Sequence, residues 1–268
     1  MVDGTLGGGG HTRALLERVG ANGLVIAIDR DPEAIDKGQQ KFAGMPVRLA
    51  QANFCDLPEV LESLDIKAVD GVILDLGVSS DQLADVERGF SFSLAGPLDL
   101  RFDPMSGEPA RRLINRLSAE HLADLIFHYG EERYSRMIAR AVVEQRRNKP
   151  IETSLELAEL IRRTVPRARE ERIDPATRTF QALRIAVNDE LKSLEIGLRR
   201  IPDCLRTGAR MAVISFHSLE DRRVKEAFRG DQRLKNLTSK PIRPEEEEIG
   251  RNPRSRSAKL RAAERVET

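Results

Sequence analysis

Residues Asp3-Gly4-Thr5-Leu6-Gly7-Gly8-Gly9-Gly10-His11 place five glycines in seven positions, and the apolar run 24–28 that follows ends in Asp29. Few folds accommodate that combination. A glycine-rich backbone can turn sharply and lie against a ligand, while a carboxylate about 20 residues on suits a ribose diol. The pair reads as a nucleoside-cofactor site. A dinucleotide fingerprint needs a third glycine three residues after the second, but Thr12 holds that place after Gly7-x-Gly9 and Arg13 holds it after Gly8-x-Gly10. A pyrophosphate cradle is therefore disfavoured. Asp3 at the head of the loop is wrong for a phosphate but right for the ammonium of a methionine moiety, so S-adenosylmethionine fits better than NAD.

The chain up to residue 76 alternates short β runs with helical patterns. Residues 25–28 lead into a helix over 32–42 that opens on Pro32, a suitable first-turn residue. Residues 47–50 precede Phe54-Cys55-Asp56, and a helix around 59–64 precedes the run 69–76. This rhythm predicts an α/β fold with a parallel, doubly wound sheet, whose ligands bind at the carboxyl ends of strands, where Asp29, Asp56 and Asp75 fall. Only Met1 and Val2 precede Asp3, so the first strand is expected to be cut short, with a loss of stability and activity.

Beyond Gly77 the alternation stops. Residues 84–107 read as a turn-rich loop, followed by helices at 121–128 and 133–147. A further helix is capped by Thr153 with Glu156 three residues later and stops before Pro166. This all-helical block, residues 106–175, is expected to be an insertion in a domain made of residues 1–105 and 176–268. One long helix then carries the stripe Phe180, Leu183, Val187, Leu191, Leu194 and Leu198, and a strand follows at 211–215. The Pro- and Glu-rich segment 240–253 is expected as a surface loop. Residues 258–264 are expected as an edge strand turning Lys259 and Arg261 outward.

The net charge of +1 conceals a split: residues 1–105 carry −8, 106–205 carry +3 and 206–268 carry +6. A phosphate backbone would sit on the basic part. Arginine, which grips phosphate bidentately, supplies most of the positive charge. Cys55 and Cys204 lie in apolar neighbourhoods and imply a reducing compartment without a disulfide framework. The histidines, His11, His121, His128 and His217, do not fall at metal-ligand spacing, so no metal site is expected. With no bilayer-spanning run and no signal peptide at its start, the chain is expected in the cytoplasm and off the membrane.

Eight motifs, in order along nearly the whole chain, carry a resemblance. They are Asp3 to His11, Asp75-Leu76-Gly77-Val78-Ser79-Ser80-Asp81-Gln82-Leu83, Glu87-Arg88-Gly89-Phe90-Ser91-Phe92, Gly96-Pro97-Leu98-Asp99-Leu100-Arg101, Tyr129-Gly130-Glu131-Glu132-Arg133, Pro175-Ala176-Thr177-Arg178-Thr179-Phe180-Gln181, Ser215-Phe216-His217-Ser218-Leu219-Glu220-Asp221-Arg222 and Asn252-Pro253-Arg254-Ser255-Arg256-Ser257. Together they resemble the RsmH (MraW) methyltransferases, which use S-adenosylmethionine to methylate the N4 amine of a decoding-centre cytidine in 16S ribosomal RNA. The resemblance implies a Rossmann-like class I methyltransferase fold with an inserted helical domain for RNA recognition. The small ribosomal subunit would be the partner; a homodimer is left open. It further implies cofactor contacts from Gly7, Gly9, Gly10 and His11 in the loop, from Asp29 on the ribose, from Phe54 near the adenine, and from Asp75 and Gln82. Asp56 is kept as a secondary adenine contact. The chain departs from the family locally, at Asp81, Leu100, Phe102 and Asp174.

Methyl transfer from a sulfonium is an in-line displacement, so the enzyme has chiefly to position the amine and support developing charge. A base inside a duplex is out of reach, so the cytidine is expected to be unstacked. Asp75 is expected to accept from the amine or to position the cofactor, and His217 to share the active site. Ser218 and Asp221 could instead cap the helix after His217. Phe90 and Phe92 would stack on the base or anchor a lid, and Arg254 and Arg256 would meet RNA phosphates. The rival readings are a DNA amino-methyltransferase, a non-catalytic ribosome assembly factor and an NAD oxidoreductase. Against the first stands Leu76-Gly77-Val78, where such enzymes show Pro-Pro-aromatic. Against the second stand the intact loop glycines with Asp29 and Asp75, and against the third the absent glycine.

Overall fold

Val2, Ile26, Ile28, Val72 and Leu74 are all buried, and strands buried on both faces belong to a parallel sheet covered by helices. The computed structural model describes residues 1–20, 22–166 and 174–267. Its elements run β1 (Val2–Asp3), α1 (Gly10–Val19), β2 (Val25–Asp29), α2 (Pro32–Lys41), β3 (Val47–Gln51), α3 (Leu57–Ser63), β4 (Val69–Asp75) and α4 (Ser80–Ala84). There follow α5 (Ala110–Arg116), α6 (Ala119–Gly130), α7 (Ser135–Asn148), α8 (Ser154–Thr164), α9 (Thr177–Asn188) and α10 (Glu190–Arg200). The chain closes with β5 (Leu205–Ser215), α11 (Ser218–Gly230), β6 (Leu234–Asn236), α12 (Glu246–Arg251) and β7 (Lys259–Arg265).

The strands form one sheet in the order β3-β2-β1-β4-β5-β7-β6. β3, β2, β1, β4 and β5 pair in parallel, while β7 runs antiparallel to both β5 and β6. From β1 the chain moves outward to β2 and β3 and then crosses to β4 on the other side of β1. The carboxyl ends of β1 and β4 therefore flank the switch point at which doubly wound sheets bind ligands. Among the described residues no helix is long and apolar enough to cross a membrane.

The chain divides into two compact units, Met1–Gly77 with Leu191–Thr268, and Val78–Glu190. The first contains the sheet, around a core that includes Ile26, Leu74, Leu194, Met211 and Phe228. The second is helical, and it is wider than the block 106–175 expected from the sequence. Phe90, Leu98 and Leu100 from the preceding loop, and Phe180 and Leu183 from α9, share a core with Ile126, Ile138 and Leu157. Polar ties hold that loop in place: Ser154 Oγ donates to the Gly89 carbonyl, and the Asn188 side chain accepts from the Phe102 N–H and donates to the Leu100 carbonyl.

Three further expectations are corrected. The single long helix is two, α9 and α10, interrupted at Asp189, whose φ of 50° is left-handed. Aspartate tolerates that conformation better than most residues. Accordingly Phe180 and Leu183 belong to the helical core and Leu194 and Leu198 to the sheet core. Next, β7 is an interior strand, and Arg261 turns inward, 5% exposed, where its guanidinium donates to Asp221 on α11 at 2.7 Å. Lys259 approaches the same carboxylate at 3.5 Å. Finally, the segment 240–253 contains α12, whose first turn carries Glu246, Glu247 and Glu248, charges that suit a helix N-terminus.

Candidate functional site

Loop 4–10 leaves β1 and enters α1 directly. Gly7 and Gly9 adopt φ of 46° and 75°, and a Cβ on Gly9 would come within 2.8 Å of the Phe42 ring. These two glycines shape the turn. Gly8 and Gly10 differ, since a Cβ on either would meet nothing within 4 Å. They leave an open backbone surface, and α1 starts there with no side-chain cap on its first N–H groups.

Three carboxylates surround this loop. Asp29, at the end of β2, accepts from the Gly7 N–H at 2.8 Å through Oδ2 and from the Asp31 N–H at 2.9 Å through Oδ1. Burial raises its pKa against the pull of those two bonds. Each oxygen retains lone-pair capacity. Asp3 is fully buried; its Oδ2 accepts from the Thr12 hydroxyl at 2.7 Å and its Oδ1 from the Thr5 N–H at 3.2 Å. Asp3 thus braces the loop against α1 from behind, which corrects its expected role as partner of a ligand ammonium: complete burial leaves it no face for one. Burial raises its pKa as well.

Asp75 ends β4. Its N–H donates to Thr5 Oγ1 at 2.7 Å, and its Oδ2 lies 3.7 Å from His11 Nδ1. Asp75 Oδ1 is buried with no hydrogen-bond partner among the described residues. Burial pushes the Asp75 carboxyl up to about 6; His11 opposes the rise, while the charges of Asp3 and Glu220 add to it. A carboxyl with that pKa and an uncommitted oxygen is suited to take a proton near neutral pH.

The same corner thus gathers Gly7, Gly9, Gly10, His11, Asp29 and Asp75. Phe54 opens a single 3₁₀ turn after β3, and its ring packs against Gly197, where a Cβ would come within 2.9 Å of it. Asp56, in the same turn, is about half exposed and lies 4.0 Å from Arg200. His217 stands at the N-terminus of α11 with its side chain buried, its Nε2 3.1 Å from Glu220 Oε1. Glu220 is 2% exposed, and its Oε2 accepts from the N–H groups of Phe216 at 2.9 Å and His217 at 3.3 Å. The acid that satisfies the start of α11 is therefore Glu220, in place of the expected Ser218 and Asp221. A glutamate three residues after a helix start is the capping-box signal, and it could have been read from the sequence.

The remaining expected residues are placed otherwise. Gln82, in the helical unit, closes a capping box, accepting from the Ser79 N–H at 3.0 Å while Ser79 Oγ accepts from its own N–H at 3.1 Å. Phe90 is 6% exposed and stacks on Phe102 with ring centroids 5.6 Å apart. It is a core residue of the helical unit, held by apolar neighbours, and presents no open face for a base. Phe92 packs on Phe180 at 5.1 Å. Arg254 and Arg256 are exposed on the 3₁₀ turn Pro253–Ser257, anchored by the buried Ser255 between them.

The sequence model of the MraW methylase family matches residues 1–266. The chain belongs to the MraW methylase family. It is 52% identical over 285 residues to the ribosomal RNA small subunit methyltransferase H of Thermomicrobium roseum, covering 99% of this chain and 87% of that protein. The protein of the same name from Rhodopirellula baltica is 51% identical, covering 100% of this chain and 86% of its own length. That from Deinococcus deserti is also 51% identical, over 99% of this chain and 87% of its length. As a member of the MraW family the chain is a methyltransferase with a Rossmann-like class I fold, and its cofactor is S-adenosylmethionine. The residues present fit that group: an open glycine surface, an acid with free lone pairs at the end of β2, and an uncommitted carboxyl oxygen at the end of β4.

Proposed function

We propose that this protein transfers the methyl group of S-adenosylmethionine to the N4 amine of a decoding-centre cytidine in small-subunit ribosomal RNA. The names of the relatives about 50% identical over the full chain support the ribosomal substrate. The observation that carries the chemistry is the Asp75 carboxyl, raised to about 6, with one oxygen buried and unpartnered. When bound, S-adenosylmethionine supplies a methyl group on a sulfonium, a good leaving group.

Asp29 holds the ribose hydroxyls through its remaining lone pairs. Gly7, Gly9, Gly10 and His11 line the methionine side, with the uncapped start of α1 available to a carboxylate. Phe54 lies beside the adenine, with Asp56 as a second contact, and the family resemblance adds Gln82. The cytidine N4 lone pair is conjugated into the ring and weakly nucleophilic. Asp75 accepts a hydrogen bond from the amine, which favours rehybridisation, and takes the proton that the amine sheds as the N–C bond forms. Arg254 and Arg256 meet RNA phosphates.

The test is to incubate the protein and methyl donor with small subunits that lack the modification, then identify modified nucleosides by mass spectrometry. One added methyl on the exocyclic nitrogen of a single cytidine is expected. Methyl on another base, or on DNA in preference to ribosomal RNA, would overturn the assignment.

A further inference from the structure

β4 and β5 run side by side with Asp75 opposite Ile214, and the Leu76 N–H donates to the Ile214 carbonyl at 2.9 Å. Three residues past Ile214, the chain turns into α11. There the Phe216 ring lies over Gly77, where a Cβ would meet it at 3.5 Å. Glu220 folds back from the first turn of α11 onto the backbone of Phe216 and His217. Its carboxylate is therefore held beside the end of β4, buried, and fixed by two N–H donors at a helix N-terminus, which favour its charged form. The His217 imidazole stands against its other oxygen.

We propose that Glu220, backed by His217, is a positioning residue that sets the proton affinity of Asp75. Nothing else in the site accounts for a buried glutamate there: a solvent-facing Ser, Thr or Asp would cap α11 as well. The titratable groups facing Asp75 are Asp3 from β1, His11 from α1 and Glu220 from α11. Asp3 is committed to Thr5 and Thr12, and His11 is part of the loop. Glu220 is thus the group on a separate element that can tune Asp75 without reshaping the loop. A like charge held nearby in a poorly solvated site makes a carboxylate a stronger base. That is the property an acceptor for a weakly acidic amine requires.

This inference rests on the proposed role of Asp75, but its test needs no RNA. In the full chain, the Asp75 carboxyl carbon is followed by NMR across pH 4 to 8 in the parent, in Glu220→Gln and in Glu220→Ala, with thermal unfolding confirming which variants fold. In a folded variant the Asp75 midpoint is expected to fall by about half a pH unit or more, and the acid limb of the methyl-transfer profile to move down with it. A midpoint unchanged in a folded variant would overturn the inference, because a mere helix cap would not move it. Absence of cytidine methylation by the parent would instead overturn the proposed function and leave the titration result standing.

Discussion

The glycine-loop corner of the sheet unit and the core of the helical unit both bury charged groups, but they treat them differently. In the helical unit the buried or half-buried charges have partners: Arg101 meets Asp99 at 2.8 Å, and Arg184 meets Glu190 at 2.8 Å. Even at its surface, the Lys149 ammonium holds Glu156 down to about 2. Around the loop, Asp3, Asp29 and Asp75 are all raised, and burial is the largest cause for each. Desolvation without a compensating cation costs stability, and a fold keeps it where the raised carboxyl does something. The contrast separates structural charge from functional charge within one chain.

The largest expected effect is on chemistry. Asp75→Asn should slow single-turnover methyl transfer by about 10²- to 10⁴-fold. In the parent the rate should decline below about pH 6, as Asp75 takes up its proton, and the variant should lose that limb. A variant within a few-fold of the parent would erase the distinction between the two regions. Phe90→Ala tests the other side: if Phe90 is core, denaturant unfolding should show a loss of about 3 to 5 kcal/mol. Weakened RNA binding with unchanged stability would restore it as a stacking residue.

Asp29→Ala should weaken S-adenosylmethionine binding, measured by calorimetry, by roughly 1.5 to 3 kcal/mol for each charge-assisted bond removed. Unchanged affinity would move the ribose elsewhere. A smaller effect sharpens the comparison thermodynamically. Asp75 titrates at about 6 in the fold against an ordinary 3.8, so its protonated form stabilises the fold fully below about pH 4, a contribution lost as pH rises through 6. At pH 7 the buried charge is a cost, and Asp75→Asn should raise stability there by roughly 1 to 2 kcal/mol after solvent screening, with no gain at pH 4. The smallest effect concerns exposed charge: replacing Arg254 and Arg256 with alanine should lower the salt dependence of RNA binding by about 0.7 in logarithmic slope for each phosphate no longer neutralised. An unchanged slope would make them ordinary surface charge.

Much of the sheet unit was legible because its determinants are local. Five glycines before a helix, an apolar run closed by Asp29, and a second run closed by Asp75 define strand ends from neighbouring residues alone, and the fold seats both acids at the loop. The Thr153 to Glu156 box likewise fixes the start of α8. The roles of Phe90, Arg261 and Glu220 were not legible, for a common reason: they depend on partners distant in sequence. Phe102 and the helical core bury Phe90, Asp221 draws Arg261 inward, and the end of β4 gives Glu220 its neighbour.

By itself, then, the sequence determined the family, the parallel sheet and the acids that close its strands, since glycine conformation, alternation and capping act over a few residues. Tertiary structure alone decided that one apolar stripe breaks at Asp189 to serve two cores, and that Asp3 braces while Asp75 stays uncommitted. Those outcomes follow from burial and pairing, and both depend on residues far along the chain that only the completed fold brings within reach.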